Sequence, residues 1–253
     1  LRERRDIFFG DFAAAERSLR ALVEATPASH EARRLLVELL WETGRDAAAT
    51  DMARIGLENL SSLGEAPTLW VAHDARMPLW AAQLRAGGID EAALTQARRE
   101  FLASWERRGG AGADSLWLVA WGETSFSAEA AKGALAALAK SPGSAEALLG
   151  PAQIRWGRSR YATVAAHLGR IELLAGNSDA AVTHLASAAA ACPAFDAPFH
   201  HVRLPAWHGE ALEAAGREGA CDAYGRVLAR WSDVPTSRTA RAARAARVRL
   251  ACP

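Results

Sequence analysis

The chain has 253 residues, half of them apolar, and a formal net charge of only +1. It can bury a sizeable core, it makes no strong field that would steer it to nucleic acid or an anionic membrane, and no run approaches the ~20 apolar residues of a membrane span. Alanine and leucine dominate, β-branched residues are sparse, and glycines stand singly between runs of a dozen or more residues, so the expected fold is all-α.

Along the chain, Gly10-Asp11-Phe12 is followed by Ala15, Leu19, Leu22 and Pro27, and Gly44 and Ala49 repeat the pattern 34 residues on. Weaker copies fall at Trp80, Leu84, Gly87 and Ala92, and at Trp117, Trp121, Ala130, Ala134 and Pro142. The fullest copy is Leu168-Gly169, Gly176, Ala181, Leu185, Ala188 and Pro193; another runs from Trp207 through Gly209, Leu212, Gly216, Ala220, Tyr224 and Val227. This order of large, small and turn residues resembles the tetratricopeptide repeat, whose period is 34 residues. Gly169 and Ala181 lack bulk, so two antiparallel helices can approach to the short end of the ~8–10 Å packing range. Leu168 and Leu185 fill the seam, and Pro193 ends the second helix.

The resemblance implies an α-solenoid of irregular hairpins, each burying its open face against the next. Equivalent alanines drift in spacing, 34 residues from Ala15 to Ala49 but 51 from Ala130 to Ala181, so insertions separate hairpins. Loop-like stretches at residues 61–67, 109–112 and 141–151 mark them. The expected organisation is irregular hairpins over 1–150 and hairpins plus a capping helix over 151–253, in one continuous stack. The cap is residues 237–250, with Ala240, Ala243 and Ala246 on one face. The chain opens at Leu1 without methionine and enters its first copy partway along the leading helix, so it is expected to be a segment of a longer polypeptide.

From Leu168 to Cys252 the details go further: Leu168-Gly169, Ala175-Gly176, Cys192-Pro193, residues 208–216 (HGEALEAAG), Ala220-Cys221-Asp222-Ala223-Tyr224, residues 227–231 (VLARW), residues 235–240 (PTSRTA) and a final cysteine. This third of the chain is similar to the C-terminal tetratricopeptide region of large bacterial serine/threonine protein kinases, especially of myxobacterial type. The resemblance implies a regulatory or substrate-docking tail. Pro205, inside a leading helix, departs from the pattern. No His-Arg-Asp, Asp-Phe-Gly, Walker loop, His-Glu-x-x-His or nucleophile elbow occurs, so no enzymatic activity is expected of this segment.

Tetratricopeptide stacks hold extended peptides on the face made by the first helix of each hairpin. Mapping that face selects Glu31, Arg34, Glu38 and Trp41; Thr163, Ala166, Arg170 and Leu173; and Arg203, Glu210 and Glu213. The groove is mixed in charge, Arg170 and Arg203 suit bidentate contact with a carboxylate or phosphate, and Trp41 is the aromatic anchor. Trp117 and Trp121, four apart, are expected in the core. The five arginines Arg238, Arg241, Arg244, Arg247 and Arg249 read as a solvated face of the capping helix, not as a nucleic-acid contact.

Cys192, Cys221 and Cys252 are odd in number and widely spaced, and read first as buried small hydrophobes, with a Cys192–Cys221 bridge open in an oxidising compartment. Cys192, His200, His201, His208 and Cys221 are metal-capable but match no standard spacing, so neither metal nor cofactor is expected. The expected function is a protein-interaction scaffold within a bacterial signalling protein, binding a protein or peptide; the alternative is the sensor or oligomerisation region of a transcriptional regulator. A cytoplasmic location is expected, with an extracytoplasmic domain of a membrane-anchored protein as the alternative. Oligomeric state stays open.

Overall fold

The computed structural model describes residues 2–27, 29–62, 76–85, 87–107, 121–122, 124–139, 164–190 and 197–253. Thr163, Trp117, Pro142, Cys192, Pro193 and the loop-like stretches at 63–67, 109–112 and 141–151 lie outside them. All regular structure among the described residues is helical: α1 (Arg2–Phe9), α2 (Phe12–Ala25), α3 (His30–Glu42), α4 (Asp46–Ser62), α5 (Arg76–Arg85), α6 (Glu91–Arg107), α7 (Ala128–Leu138), α8 (164–175), α9 (Ser178–Ala190), α10 (Pro198–Ala214), α11 (Ala220–Trp231) and α12 (Arg238–Arg249).

One local device ends five of these helices. Gly10, Gly44, Gly87, Gly176 and Gly216 all have positive φ, between 63° and 92°. After each, the next amide donates back to a carbonyl five residues earlier: Asp11 to Asp6 at 2.8 Å, Arg45 to Leu40 at 2.8 Å, Gly88 to Gln83 at 2.9 Å, Asn177 to Glu172 at 2.9 Å and Arg217 to Leu212 at 2.8 Å. This is the Schellman termination, in which a left-handed residue turns the chain while pairing carbonyls that the helix end leaves open. Glycine suits it because no Cβ opposes positive φ. Helix starts are also encoded locally, by Ser127 and Ser237 accepting from Ala130 and Ala240 at 3.1 and 3.0 Å, and by Asp90 accepting from Ala93 at 2.7 Å.

The chain divides into two compact units, residues 12–124 and residues 1–11 with 125–253. In the first, α2, α3, α4, α5 and α6 pack each on the next, and α3 also touches α5. Leu19, Leu35, Leu36, Leu39, Ala49, Leu79 and Phe101 are buried there. So is Arg98, whose guanidinium donates to the Thr124 hydroxyl at 2.8 Å, to the Thr124 carbonyl at 3.0 Å and to Glu91 at 3.0 Å, and lies 4.0 Å from the Trp121 ring centroid.

In the second unit α9, α10, α11 and α12 again pack each on the next, α10 also touches α12, and α1 packs on α10 and α11. Trp231 is fully buried, and its indole N–H donates to the Ile7 carbonyl at 3.0 Å. Two glycines allow close approach: a Cβ on Gly169 would sit 2.6 Å from Leu185 Cγ, and one on Gly209 would sit 2.8 Å from the Tyr224 ring. The expected terminal helix is present, bounded by Ser237 and Leu250.

Cys221 is bonded to Cys252, with Cα atoms 5.6 Å apart. This corrects the reading of Cys221 and Cys252 as buried hydrophobes and replaces the Cys192–Cys221 pairing, while the reading of Cys192 lies outside the described residues. The reason lies at the end of α12, where Ala251 takes positive φ and the Cys252 amide donates to the Arg247 carbonyl at 2.9 Å. That turn brings Cys252 back to the first turn of α11.

Candidate functional site

On α3, Arg34 is buried between two acids of its own helix. It makes a bidentate pair with Glu31 at 2.8 and 3.1 Å and meets Glu38 at 2.5 Å. Positions three and four apart share a helix face, so this triad follows from spacing alone. Trp41, one turn further, is half-buried, with the Arg85 guanidinium of α5 4.3 Å from its ring centroid.

On α8 and α10 the arrangement differs. Arg170 is half-buried, with its guanidinium carbon 5.1 Å from the Trp207 centroid and 5.3 Å from the Phe126 centroid. Trp207 also lies 5.8 Å from His200, whose ring meets His167 edge-on at 5.1 Å. Arg203 is buried with its guanidinium 4.9 Å from the Phe199 centroid. A guanidinium over an aromatic face is attracted by the ring quadrupole and keeps its N–H edge directed outward.

The two glutamates of α10 are set differently. Glu210 is exposed, yet surrounding protein raises its carboxyl above the usual range, with the Arg170 charge pulling it back and Glu213 adding to the rise. Because water reaches Glu210, that rise is modest in energy. Burial pushes Glu213 upward too, but hydrogen bonds from Arg249 and Tyr224 outweigh it and leave the carboxyl below its ordinary value. Arg249 reaches it from α12 at 2.7 and 3.0 Å, and the Tyr224 hydroxyl donates from α11. Burial, then the bond to Glu213, pushes the Tyr224 phenol well up.

The structure thus brings Arg170 and Glu210 into one neighbourhood with Phe126, Trp207 and His200. It ties Glu213 to the capping helix and seats Arg203 among buried residues; Arg34, Glu38 and Trp41 form their own group on α3. Ala166 is buried and Leu173 half-buried on α8. Sequence reasoning passed over Phe126, which no repeat pattern marks, and gave Trp207 only as the opening residue of a repeat copy. Arg249 was taken only as surface, although its place in the last turn of the cap put it within reach of α10.

Of the metal-capable residues, Cys192 lies outside the described ones. Cys221 is in the disulfide, His200 faces His167, and His201 packs 5.2 Å from the Phe8 ring. Among the described residues no group of three or more His, Cys, Asp or Glu side chains converges as a metal site, and no helix is long and apolar enough to cross a membrane.

Fold and site together define a protein that is all-helical over its described residues, with a cationic aromatic cluster on α8 and α10. No protein-family model matches the chain, and no curated protein matches it.

Proposed function

We propose that the chain is a tetratricopeptide-like interaction module that docks a protein or extended peptide on the α8 and α10 face, as a regulatory or docking segment of a larger bacterial signalling protein such as a serine/threonine kinase. The observation that carries this reading is Arg170, half-exposed over the Trp207 and Phe126 rings beside the open carboxylate of Glu210. Aromatic and arginine groups are the side chains that most often anchor interfaces, and a cation beside an anion suits a partner segment of alternating charge. The recurring Schellman turns and the close approaches at Gly169 and Gly209 support the repeat itself.

The Cys221–Cys252 bridge favours an oxidising compartment over the cytoplasm, because thiols are kept reduced inside most cells.

Affinity capture from source lysate tests the docking face, using the parent chain, Arg170→Glu and Arg241→Glu, each checked for unchanged helicity. Arg241 is an exposed arginine of α12 and controls for charge. A partner retained by the parent and by Arg241→Glu but lost from Arg170→Glu is the expected result. Equal retention by all three moves docking to another surface, and no retention by the parent refutes the module reading.

A further inference from the structure

α10 has a second working side. At 3.6 residues per turn His201, Pro205 and His208 share one stripe, opposite to Arg203, Trp207 and Glu210. That stripe borders a cavity of about 300 Å³ lined by His201, Val202, Leu204 and Pro205 of α10, Ala189 of α9, and Arg226, Ala229 and Arg230 of α11. Pro205 has no amide proton to give the His201 carbonyl four residues back, so the α10 ladder is interrupted where the cavity opens.

The charge in this cavity is all of one sign. Arg226 and Arg230, four apart, leave the same face of α11, a like-charge spacing that weakens a helix unless something compensates it. Among the described residues neither meets a carboxylate; Arg230 lies 4.6 Å from the Phe8 ring centroid. The α10 histidines answer to that charge without adding to it, since a lowered value keeps the imidazole neutral. His201 is held below its ordinary value by burial and then by Arg230, and His208 by burial and then by Arg226. The buried His208 Nδ1 has no hydrogen-bond partner among the described residues. Two guanidiniums and the His201 imidazole therefore line a concave, partly apolar space with no acid among its lining residues. Its volume is at the low end for small-molecule sites.

We infer that this cavity binds a small oxyanion, a phosphate or carboxylate carried by a small molecule, held by Arg226 and Arg230 with His201 at its edge. The guanidinium fork matches such oxygens bidentately, and the apolar walls from Ala189, Val202, Leu204 and Ala229 receive the rest of the molecule. The site stands on the opposite side of α10 from the docking face and does not depend on that reading.

The test follows the His201 ring by NMR in the full chain while inorganic phosphate, phenyl phosphate, benzoate or chloride is added at matched ionic strength. The expected result is a saturable movement of the His201 titration to higher pH with at least one oxyanion and not with chloride. Affinity should fall roughly tenfold in Arg226→Gln and in Arg230→Gln, the loss of one charge-assisted contact each, and stay unchanged in Arg241→Gln. The tightest of phosphate, phenyl phosphate and benzoate then names the source: free phosphate, an organic phosphate or a carboxylate. A chloride response equal to the oxyanions', an equal loss in Arg241→Gln, or no saturation at millimolar concentrations overturns the site. Circular dichroism of each variant separates lost binding from lost structure; a variant that unfolds is replaced by the lysine substitution at the same position, which keeps the charge but not the fork and is expected to weaken binding less than glutamine does.

Discussion

Arginine does more than one kind of work in each of the two units. In residues 12–124, Arg34 is paired with Glu31 and Glu38, Arg45 joins Glu16 at 2.7 Å, and Arg98 is buried on Thr124 and Glu91. In the other unit Arg170, Arg203 and Arg230 lie over aromatic rings, and Arg226 and Arg230 border a cavity without a carboxylate among the described residues. Each unit uses arginine both ways: Arg249 closes on Glu213 and Arg217 on Asp179 in the second, Arg85 and Arg98 lie over Trp41 and Trp121 in the first, and what sets Arg226 and Arg230 apart is the cavity they line. Arginine content is therefore a poor guide to function here, and the partner of each guanidinium is the informative quantity.

The comparison breaks first at Arg98. Arg98→Ala would remove the guanidinium bonds to the buried Thr124 carbonyl and hydroxyl together with the packing on Trp121, and is expected to cost about 2–5 kcal/mol, the loss of two buried hydrogen bonds and a large side chain. Urea unfolding should show the loss, with hydrogen exchange confining it to α6 and its neighbours. A cost near zero would mean that Arg98 is a surface group like Arg226.

Next in size is the staple of the other unit. The Cys221–Cys252 bridge closes a loop over a sequence separation of 31, so Cys221→Ser, or reduction, should lower stability by about 3 kcal/mol. The loss should appear in α11 and α12 and leave α3 and α4 unmoved. If the midpoint is unchanged by reductant, the thiols are free in solution and the compartment argument falls with them.

Gly209→Ala is smaller. Its new methyl would meet the Tyr224 ring at 2.8 Å, and overpacking of this kind costs about 1–3 kcal/mol. Gly133→Ala, where a Cβ meets nothing within 4 Å, should be neutral or slightly stabilising by thermal unfolding.

The smallest effect carries a sign. The Arg45 hydrogen bond outweighs burial and holds the Glu16 carboxyl below its ordinary value. Its contribution is therefore complete above the unfolded value near 4.5 and disappears as pH falls through the folded one. Glu210 runs the other way: its carboxyl is raised, so folding binds an extra proton between about 4.5 and the folded value, and acidification through that window adds stability. Both groups meet water, so each effect should be a few tenths of a kcal/mol. Carboxyl NMR titration of each, in the parent and in Arg45→Ala, checks the signs. Only Glu16 should return towards 4.5 in that variant.

Much of the helical framework was legible before any tertiary structure. The glycines at 10, 44, 87, 176 and 216 and the terminal helix act within a few residues of themselves, so spacing alone reveals them; the caps at 127, 237 and 90 are equally local but were not read from the sequence. Gly169 and Gly209 were legible as close approaches because the repeat demands small residues there. The Glu31–Arg34–Glu38 triad was equally local, though its spacing was read as a docking face without noticing that the acids satisfy the arginine.

What the sequence by itself determined, then, is the helical class and where five of the helices end on glycine, because propensity, capping and positive φ are properties of short segments. Tertiary structure alone decided that Cys252 and not Cys192 meets Cys221, that α1 packs on α10 and α11, that Phe126 sits beside Arg170, and that Arg226 and Arg230 share a cavity with His201. Each of those joins residues far apart in the chain, and such pairings depend on how every intervening helix packs.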